Sequence, residues 1–229
     1  MLLANHLTYC LTPNSLPLID GINLSFSPGK VYGILGPNGA GKSTFLKCLA
    51  GIWTPTAGST CWKGVALNKC PRIEIAKILT LVPQGPQIAF EYTVEEFVAM
   101  GCYPHGKLEK IELCMQKVNI LHLRNRPIQH ISQGERQRTY VARALATEAC
   151  IMLLDEPAAN LDIKHRLEMW ELMKTLAEEG KTIIVANHDL VNSERYCEHV
   201  AVLNFGKSVC SGPFEETFTP SLRREVFGI

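Results

Sequence analysis

Nine consecutive residues, Gly36-Pro37-Asn38-Gly39-Ala40-Gly41-Lys42-Ser43-Thr44, fit the spacing G-x-x-x-x-G-K-[ST] and are chemically suited to hold a chain of phosphates. Gly36, Gly39 and Gly41 permit backbone conformations that a side chain forbids, so that N–H groups can converge on an anion. Lys42 would reach the outer phosphates as a point charge, and Ser43 would offer its hydroxyl to Mg²⁺. A second candidate is Asp155-Glu156, at the end of the apolar run Ile151-Met152-Leu153-Leu154. A carboxylate there can reach a Mg²⁺ shell, and the next one can hold an attacking water. Gln84, closing Leu81-Val82-Pro83, and His188, in Asn187-His188-Asp189-Leu190, are further candidates, as is Ile131-Ser132-Gln133-Gly134-Glu135 ahead of Arg136 and Arg138. Taken singly each has a plain structural reading. Ser132 with Glu135 makes a helix capping box, His188 is a loop residue, and an isolated Asp-Glu pair is a surface acid. Their common order and spacing favour the chemical reading.

These residues need elements to place them. Val31-Tyr32-Gly33-Ile34-Leu35 reads as a buried strand entering the glycine loop, and Phe45, Leu46, Leu49 and Ala50 recur at helical spacing until Gly51. A strand, a glycine loop and a helix N-terminus together favour negative charge. The first thirty residues read as antiparallel strands, with Ile22-Asn23-Leu24-Ser25-Phe26 alternating before Ser27-Pro28-Gly29. A short strand is expected over 78–82. From 93 to 150 the pattern turns helical, with Val94, Phe97, Val98 and Gly101 forming one series and Ile111, Met115, Val118 and Leu121 another. Ile151–Leu154 is expected to be a buried strand, Leu167, Trp170, Met173 and Leu176 mark a helix, and Thr182–Ala186 is a further strand of the parallel type. A hairpin over Val200–Leu203 and Ser208–Cys210 turns at Asn204-Phe205-Gly206-Lys207. Strands alternating with helices imply a parallel sheet with ligand sites at its carboxyl edge.

The whole-chain properties narrow the classes. A length of 229 residues suits one large α/β domain or a core with an inserted subdomain. With 46% hydrophobic and 20% charged residues and a net charge of +1, the chain lacks the basic excess of a general nucleic-acid binder. No apolar run approaches the roughly 18 to 20 residues that cross a bilayer. Met1-Leu2-Leu3-Ala4-Asn5-His6 carries no basic leader, so no signal peptide is expected. The nine cysteines show no C-x-x-C and read as reduced thiols rather than a disulfide frame or zinc site.

In this order the motifs resemble the ATPase subunit of an ATP-binding cassette (ABC) transporter, over essentially the whole chain. The resemblance implies an α/β fold, a P-loop NTPase core with a mainly parallel sheet, an N-terminal antiparallel β subdomain and an inserted helical subdomain. It implies a single domain over 1–229, with the core drawn from 1–92 and 151–229 and the helical signature subdomain from 93–150. The cofactors implied are ATP and Mg²⁺. Two copies would pair head to tail, so that ATP on the loop 36–44 of one is covered in trans by Ser132, Gln133, Gly134 and Glu135 of the other. Glu156 would polarise the attacking water, His188 would hydrogen-bond the γ-phosphate, Lys42 would stabilise developing charge, and Ser43, Gln84 and Asp155 would serve the metal. Ala159-Asn160-Leu161-Asp162 resembles the segment that communicates across the pair, and the stretch from Gly212-Pro213 to Phe227-Gly228-Ile229 is similar to the tail of compact importer ATPases.

The chain departs from the family pattern at several places. Gln133 replaces the first of two signature glycines, Ala159 replaces a serine, and Leu11 stands near where an aromatic normally stacks on adenine, with Tyr9 two positions earlier. The segment from Thr93 to His105 is similar to that of ATPases serving metal-chelate importers for iron-siderophore, haem or cobalamin, with related versions for metal ions, although Cys102 stands where arginine is usual. The implied partners are integral-membrane permease subunits and, indirectly, a substrate-binding protein, with no nucleic acid and a position on the cytoplasmic face of the cell membrane. Two alternatives are a soluble non-transport ABC ATPase, for example in iron–sulfur assembly, and a weakly active nucleotide-binding module.

Overall fold

The computed structural model describes residues 1–13, 15–85, 90–159 and 161–228. Asn160 and Ile229, named above in the resemblance, lie outside the described residues. The chain opens with β1 (Leu2–Cys10) and β2 (Pro17–Phe26), which pair antiparallel. β3 (Val31–Leu35) is buried along its whole length and leads through the glycine loop into α1 (Lys42–Leu49). β4 (Ala57–Trp62) and β5 (Val65–Ala66) join β1 and β2 in a four-stranded sheet of order β2-β1-β4-β5. α2 (Arg72–Ile78) precedes β6 (Leu79–Val82).

A helical stretch follows, with α3 (Val94–Ala99), α4 (Ile111–Lys117) and α5 (Gln133–Ala146). Its apolar faces meet through Phe97 and Tyr140, whose rings are edge to face at 5.2 Å, and the guanidinium of Arg143 lies 4.7 Å from the Phe97 ring. α3 and α5 each begin with a reciprocal capping box, Thr93 with Glu96 and Ser132 with Glu135. α4 ends earlier than the apolar spacing predicts. Val118 is its cap, Asn119 takes a left-handed φ of 54°, and Leu121 falls in a separate 3-10 turn over Leu121–Leu123. Asparagine tolerates that conformation, so a helix stop overrides a continuing 3.6-residue pattern.

The chain then returns to β7 (Ile151–Asp155), α6 (Ile163–Glu178), β8 (Thr182–Ala186), α7 (Leu190–Tyr196), β9 (His199–Asn204) and β10 (Lys207–Pro213). The second sheet has the order β10-β9-β3-β8-β7-β6. Its pairings β3·β8, β3·β9, β6·β7 and β7·β8 are parallel, and only β9·β10 is antiparallel. β3, β7 and β8 are buried at every position. Continuous apolar runs are what strands covered on both faces require. One face packs on α5, α6 and α7, with Trp170 stacked on Tyr196 at 5.5 Å. The other face packs on α1 and the four-stranded sheet. There Phe45, Leu46 and Leu49 are fully buried. Each contributes about 1.5–3 kcal/mol by leaving water, which anchors the helix whose first turn carries Lys42 and Ser43. All nine cysteines are free thiols, and Cys48, Cys102, Cys114 and Cys197 are buried. No helix among the described residues is long and apolar enough to cross a membrane.

Candidate functional site at the carboxyl edge of the parallel sheet

Because β3, β7 and β8 run parallel in register, the segments that follow them emerge at one edge of the sheet. The loop after β3 holds 36–44, the end of β7 holds Asp155 and Glu156, and the segment after β8 holds His188. Gln84, two residues beyond β6, reaches the same edge from the far side of β7.

The phosphate loop is shaped by close backbone approach. Gly36 has φ +150°, and a Cβ there would lie 2.2 Å from the Leu203 carbonyl oxygen, so no side chain fits. Gly39 and Gly41 follow at φ 79° and 99°, curling residues 38–44 around one concavity lined also by Leu18, Gln84 and Glu156. Lys42 is 7% exposed, and its ammonium donates to the carbonyls of Gly36 at 2.7 Å and Pro37 at 3.0 Å. Burial pulls its pKa below the usual lysine range, while the carboxylates of Glu156 and Asp155 act in the opposite sense. A positive charge is thus held in a dry cradle, where it acts on an incoming phosphate with little solvent screening.

Glu156 is the junction of the site. Its backbone takes a left-handed φ of 50°, pinned by its N–H to the Ala186 carbonyl at 2.8 Å. Such a conformation in a non-glycine residue costs on the order of 1–3 kcal/mol and persists where surrounding structure enforces it. Its Oε2 accepts from Nε2 of Gln84 at 2.7 Å, and its Oε1 lies 3.2 Å from Nδ1 of His188. Three residues far apart in the chain are therefore joined on one carboxylate.

Asp155 is 4% exposed, and its Oδ1 is buried without a hydrogen-bond partner among the described residues. Burial raises its pKa, partly opposed by a hydrogen bond from the Ser43 hydroxyl. An orphaned, buried carboxylate oxygen beside a hydroxyl is a poor arrangement for an apo protein and a suitable one for a hard divalent cation. The residues present therefore fit Mg²⁺, with Ser43 and Asp155 closest to the loop and the amide oxygen of Gln84 as a further oxygen donor.

The signature residues lie elsewhere. Ser132 and Gln133 are exposed at the start of α5, and none of 132–135 lines the phosphate concavity. Ser132 Oγ accepts from Glu135 N at 3.3 Å, and Glu135 Oε2 accepts from Ser132 N at 2.8 Å. That backbone donor holds the Glu135 carboxyl below the usual range. A Cβ on Gly134 would sit 3.2 Å from Leu161 Cδ2, so the signature touches the segment after β7. Tyr9 stacks on Trp53 at 5.0 Å and 19°, and Leu11 is 67% exposed.

Some contributors went unread in the sequence. Asn187 is 6% exposed, and its Oδ1 accepts from Asp189 N and Ser193 Oγ, both at 3.0 Å, which fixes the turn that presents His188. An asparagine two residues before an N-cap aspartate was the available signal, an Asx turn. Leu18 lines the phosphate concavity from β2 with no motif to announce it.

The ABC transporter family model matches residues 19–159, more than half of the chain. The chain belongs to the ABC transporter family. It is 35% identical over 222 residues to the iron(3+)-hydroxamate import ATP-binding protein FhuC of Bacillus subtilis, covering 93% of this chain and 82% of that protein. It is equally 35% identical over 220 residues to the ferric enterobactin transport ATP-binding protein FepC of Escherichia coli, covering 92% and 81%. A third relative is the hemin import ATP-binding protein HmuV of Pseudomonas entomophila, at 35% over 229 residues, covering 96% and 90%. Among solved structures, cbiO1 from Clostridium perfringens, part of the ABC transporter complex cbiONQ, superposes with TM-score 0.83 at 28% identity, covering 98% of this chain and 94% of that one. The cassette MJ0796, in a dimeric post-hydrolysis state bound to ADP and Pi, gives TM-score 0.82 at 26% identity, covering 93% and 98%. The ABC chain described here is accordingly an ATP-binding subunit and an ATPase, with the α/β fold of that family.

Proposed function

We propose that the chain energises an importer of a metal chelate, of the iron-siderophore, haem or cobalamin class, as one of a head-to-tail pair of ATPase subunits bound to integral-membrane permease subunits. The cargo class is carried by the relatives, whose names place FhuC, FepC and HmuV in hydroxamate, enterobactin and hemin import. The reading extends to a position on the cytoplasmic side of the membrane, with a substrate-binding protein acting through the permease. The helical signature subdomain is assigned to 93–150 and the nucleotide-binding core to 1–92 and 151–229.

The observation that carries the mechanism is the carboxylate of Glu156, held between Gln84 and His188 at the rim of the phosphate loop. Glu156 orients and deprotonates the water that attacks the γ-phosphate, a role contributing about 10²- to 10⁴-fold. His188 donates to the γ-phosphate and keeps Glu156 aligned, so its imidazole serves both sides of the reacting centre. Lys42 and backbone N–H groups of the glycine loop neutralise charge on the outer phosphates as it develops. Ser43 and Asp155, with Gln84 nearby, would hold Mg²⁺, which would supply stabilisation of the charge on the outer phosphates. Ser132 and Gly134 of a second copy close the site from above, in keeping with an exposed Ser132 and with both residues lying away from their own loop.

The test has two arms. Mg²⁺-dependent ATP hydrolysis by the native chain should be lost in Glu156→Gln, which should elute as an ATP-bound dimer on size exclusion. Cells lacking the chain should lose uptake of labelled ferric hydroxamate, haem or cobalamin, with one of the three restored by the native gene and not by Glu156→Gln. Unchanged uptake of all three would remove the cargo assignment while leaving the ATPase chemistry standing.

A further inference from the structure

The turn joining β9 and β10 consists of two residues, Phe205 and Gly206, with φ of 45° and 76°. Two positive φ values define the hairpin turn that favours Asn-Gly or Gly-Gly, and a bulky residue at the first position is an outlier. The Phe205 ring is 89% exposed, so the core gains nothing from it. An aromatic that strains its backbone and buries no surface invites a functional explanation.

The turn is fastened to the phosphate loop. Gly206 N donates to the Ala40 carbonyl at 3.1 Å, and Asp20 N donates to the Gly206 carbonyl at 2.8 Å. A Cβ at Gly206 would lie 2.7 Å from the Leu18 carbonyl oxygen, and one at Gly41 would lie at the same distance from that oxygen. Lys207 Nζ pairs with Asp20 Oδ2 at 3.5 Å across the same junction. Leu18, 41% exposed, lines the phosphate concavity, and its backbone lies against Gly206, so it stands between the loop and the turn.

The strand order gives a direction. Gln84, Asp155, Glu156 and His188 follow β6, β7 and β8, all on one side of β3. β9 lies on the other side, parallel to β3 with Leu35 opposite Val202, so its turn emerges at the same carboxyl edge as the loop. A phosphate chain seated after β3 with its outer end towards Glu156 must point its nucleoside end away from β7 and β8. That side holds Leu18 and Phe205. Tyr9 is already stacked on Trp53, and position 11 offers only a leucine.

We propose that Phe205, with Leu18, forms the apolar platform on which the base of the bound nucleotide rests. The assignment builds on the ATPase reading of the phosphate loop and adds a residue that carries the base rather than the phosphates. A base resting on an aromatic face gains stacking that is tolerant of base identity, so GTP should bind nearly as well as ATP.

Titration calorimetry with MgADP and with magnesium pyrophosphate, which lacks the base, separates the two readings. Phe205→Ala should weaken MgADP by about tenfold and leave pyrophosphate unchanged. Phe205→Trp should retain MgADP affinity and change its indole emission on adding MgADP but not on adding pyrophosphate. Native-like MgADP affinity in Phe205→Ala, together with a silent indole in Phe205→Trp, would overturn the proposal. So would native-like MgADP binding combined with loss of the ATP-dependent dimer in Phe205→Ala, which would assign the ring to a second copy instead. Failure of the native chain to bind pyrophosphate would sink the phosphate-loop reading itself, a result independent of Phe205.

Discussion

The carboxyl edge of the parallel sheet and the start of α5 both present polar side chains and backbone N–H groups, and they are built on opposite plans. At the edge Lys42 and Asp155 are buried and Glu156 is half-buried, and the exposed Gln84 and His188 interlock with Glu156. Lys42 is folded onto its own loop, Glu156 is shared by Gln84 and His188, and Asp155 sits in the dry with an unpaired oxygen. At α5, Ser132 and Gln133 face solvent, and the cap closes on itself through Ser132 and Glu135. The first region stores electrostatic work that a nucleotide and a cation can draw on. The second is locally satisfied, and in the proposed pair its chemistry begins only when a second copy meets it. One half of the proposed composite site is thus preorganised and the other is merely presented.

The largest break in this contrast is expected at Glu156. Glu156→Gln should lower kcat for ATP hydrolysis by about 10²- to 10⁴-fold with nucleotide affinity preserved, measured by phosphate release and calorimetry. Native-like turnover would remove Glu156 as the base. His188→Ala removes the proposed donor to the reacting phosphate and should cost about 10²-fold in kcat. An effect on binding rather than on kcat would move His188 out of the catalytic step.

Asp155→Asn sharpens the electrostatic side. Burial raises the Asp155 pKa, so folding without metal favours its protonated form more than the unfolded chain does. Its stabilising contribution is present below the unfolded aspartate pKa and fades as pH climbs through the raised folded value. Asparagine mimics the protonated form. The variant should therefore melt no lower than the native chain at neutral pH without metal, yet lose the extra melting temperature that Mg²⁺ with nucleotide gives the native chain. Turnover should fall by about 10²-fold or more. A strongly destabilised apo variant would show that the carboxylate is structural.

The smallest effects test the presented half. Ser132→Ala and Thr93→Ala remove equivalent caps, and each should cost about 1 kcal/mol of stability. Only Ser132→Ala should also impair hydrolysis, since α3 presents no signature. Equal kinetics for the two variants would reduce Ser132 to a cap. Gln133→Gly, restoring the family's glycine at an exposed position, should raise turnover by less than about tenfold and leave nucleotide affinity unaltered.

What was legible in the sequence was local chemistry with long-range order. The loop 36–44, the strand ending at Asp155 and the hairpin after 199 were readable because apolar runs bounded by glycine or charge have few alternative folds. β4 and β5, which complete the four-stranded sheet, were not assigned, since Ala57–Trp62 is short, partly polar and held in place by β1 rather than by its own pattern. α2 was missed for a similar reason, with one buried residue in seven. The meeting of Gln84 and His188 on Glu156 spans 72 and 32 residues, and only the sheet order reveals it. The fastening of the Phe205 turn to Ala40 is equally long-range. The trans role proposed for Ser132 depends on a second molecule, and a single chain shows only an exposed cap.

The scattered thiols described with the fold have a practical consequence. Burial pushes Cys48, just behind the phosphate loop, and Cys197, beneath β9, up to about 12, and raises Cys102 and Cys114 in the helical stretch. A thiol so protonated does not react with an alkylating reagent until its surroundings open. Each cysteine therefore acts as a clock for the breathing of its own neighbourhood. Pulse alkylation read by mass spectrometry would time the opening of the loop helix, the helical stretch and the β9 strand separately, in the native sequence and without any added probe.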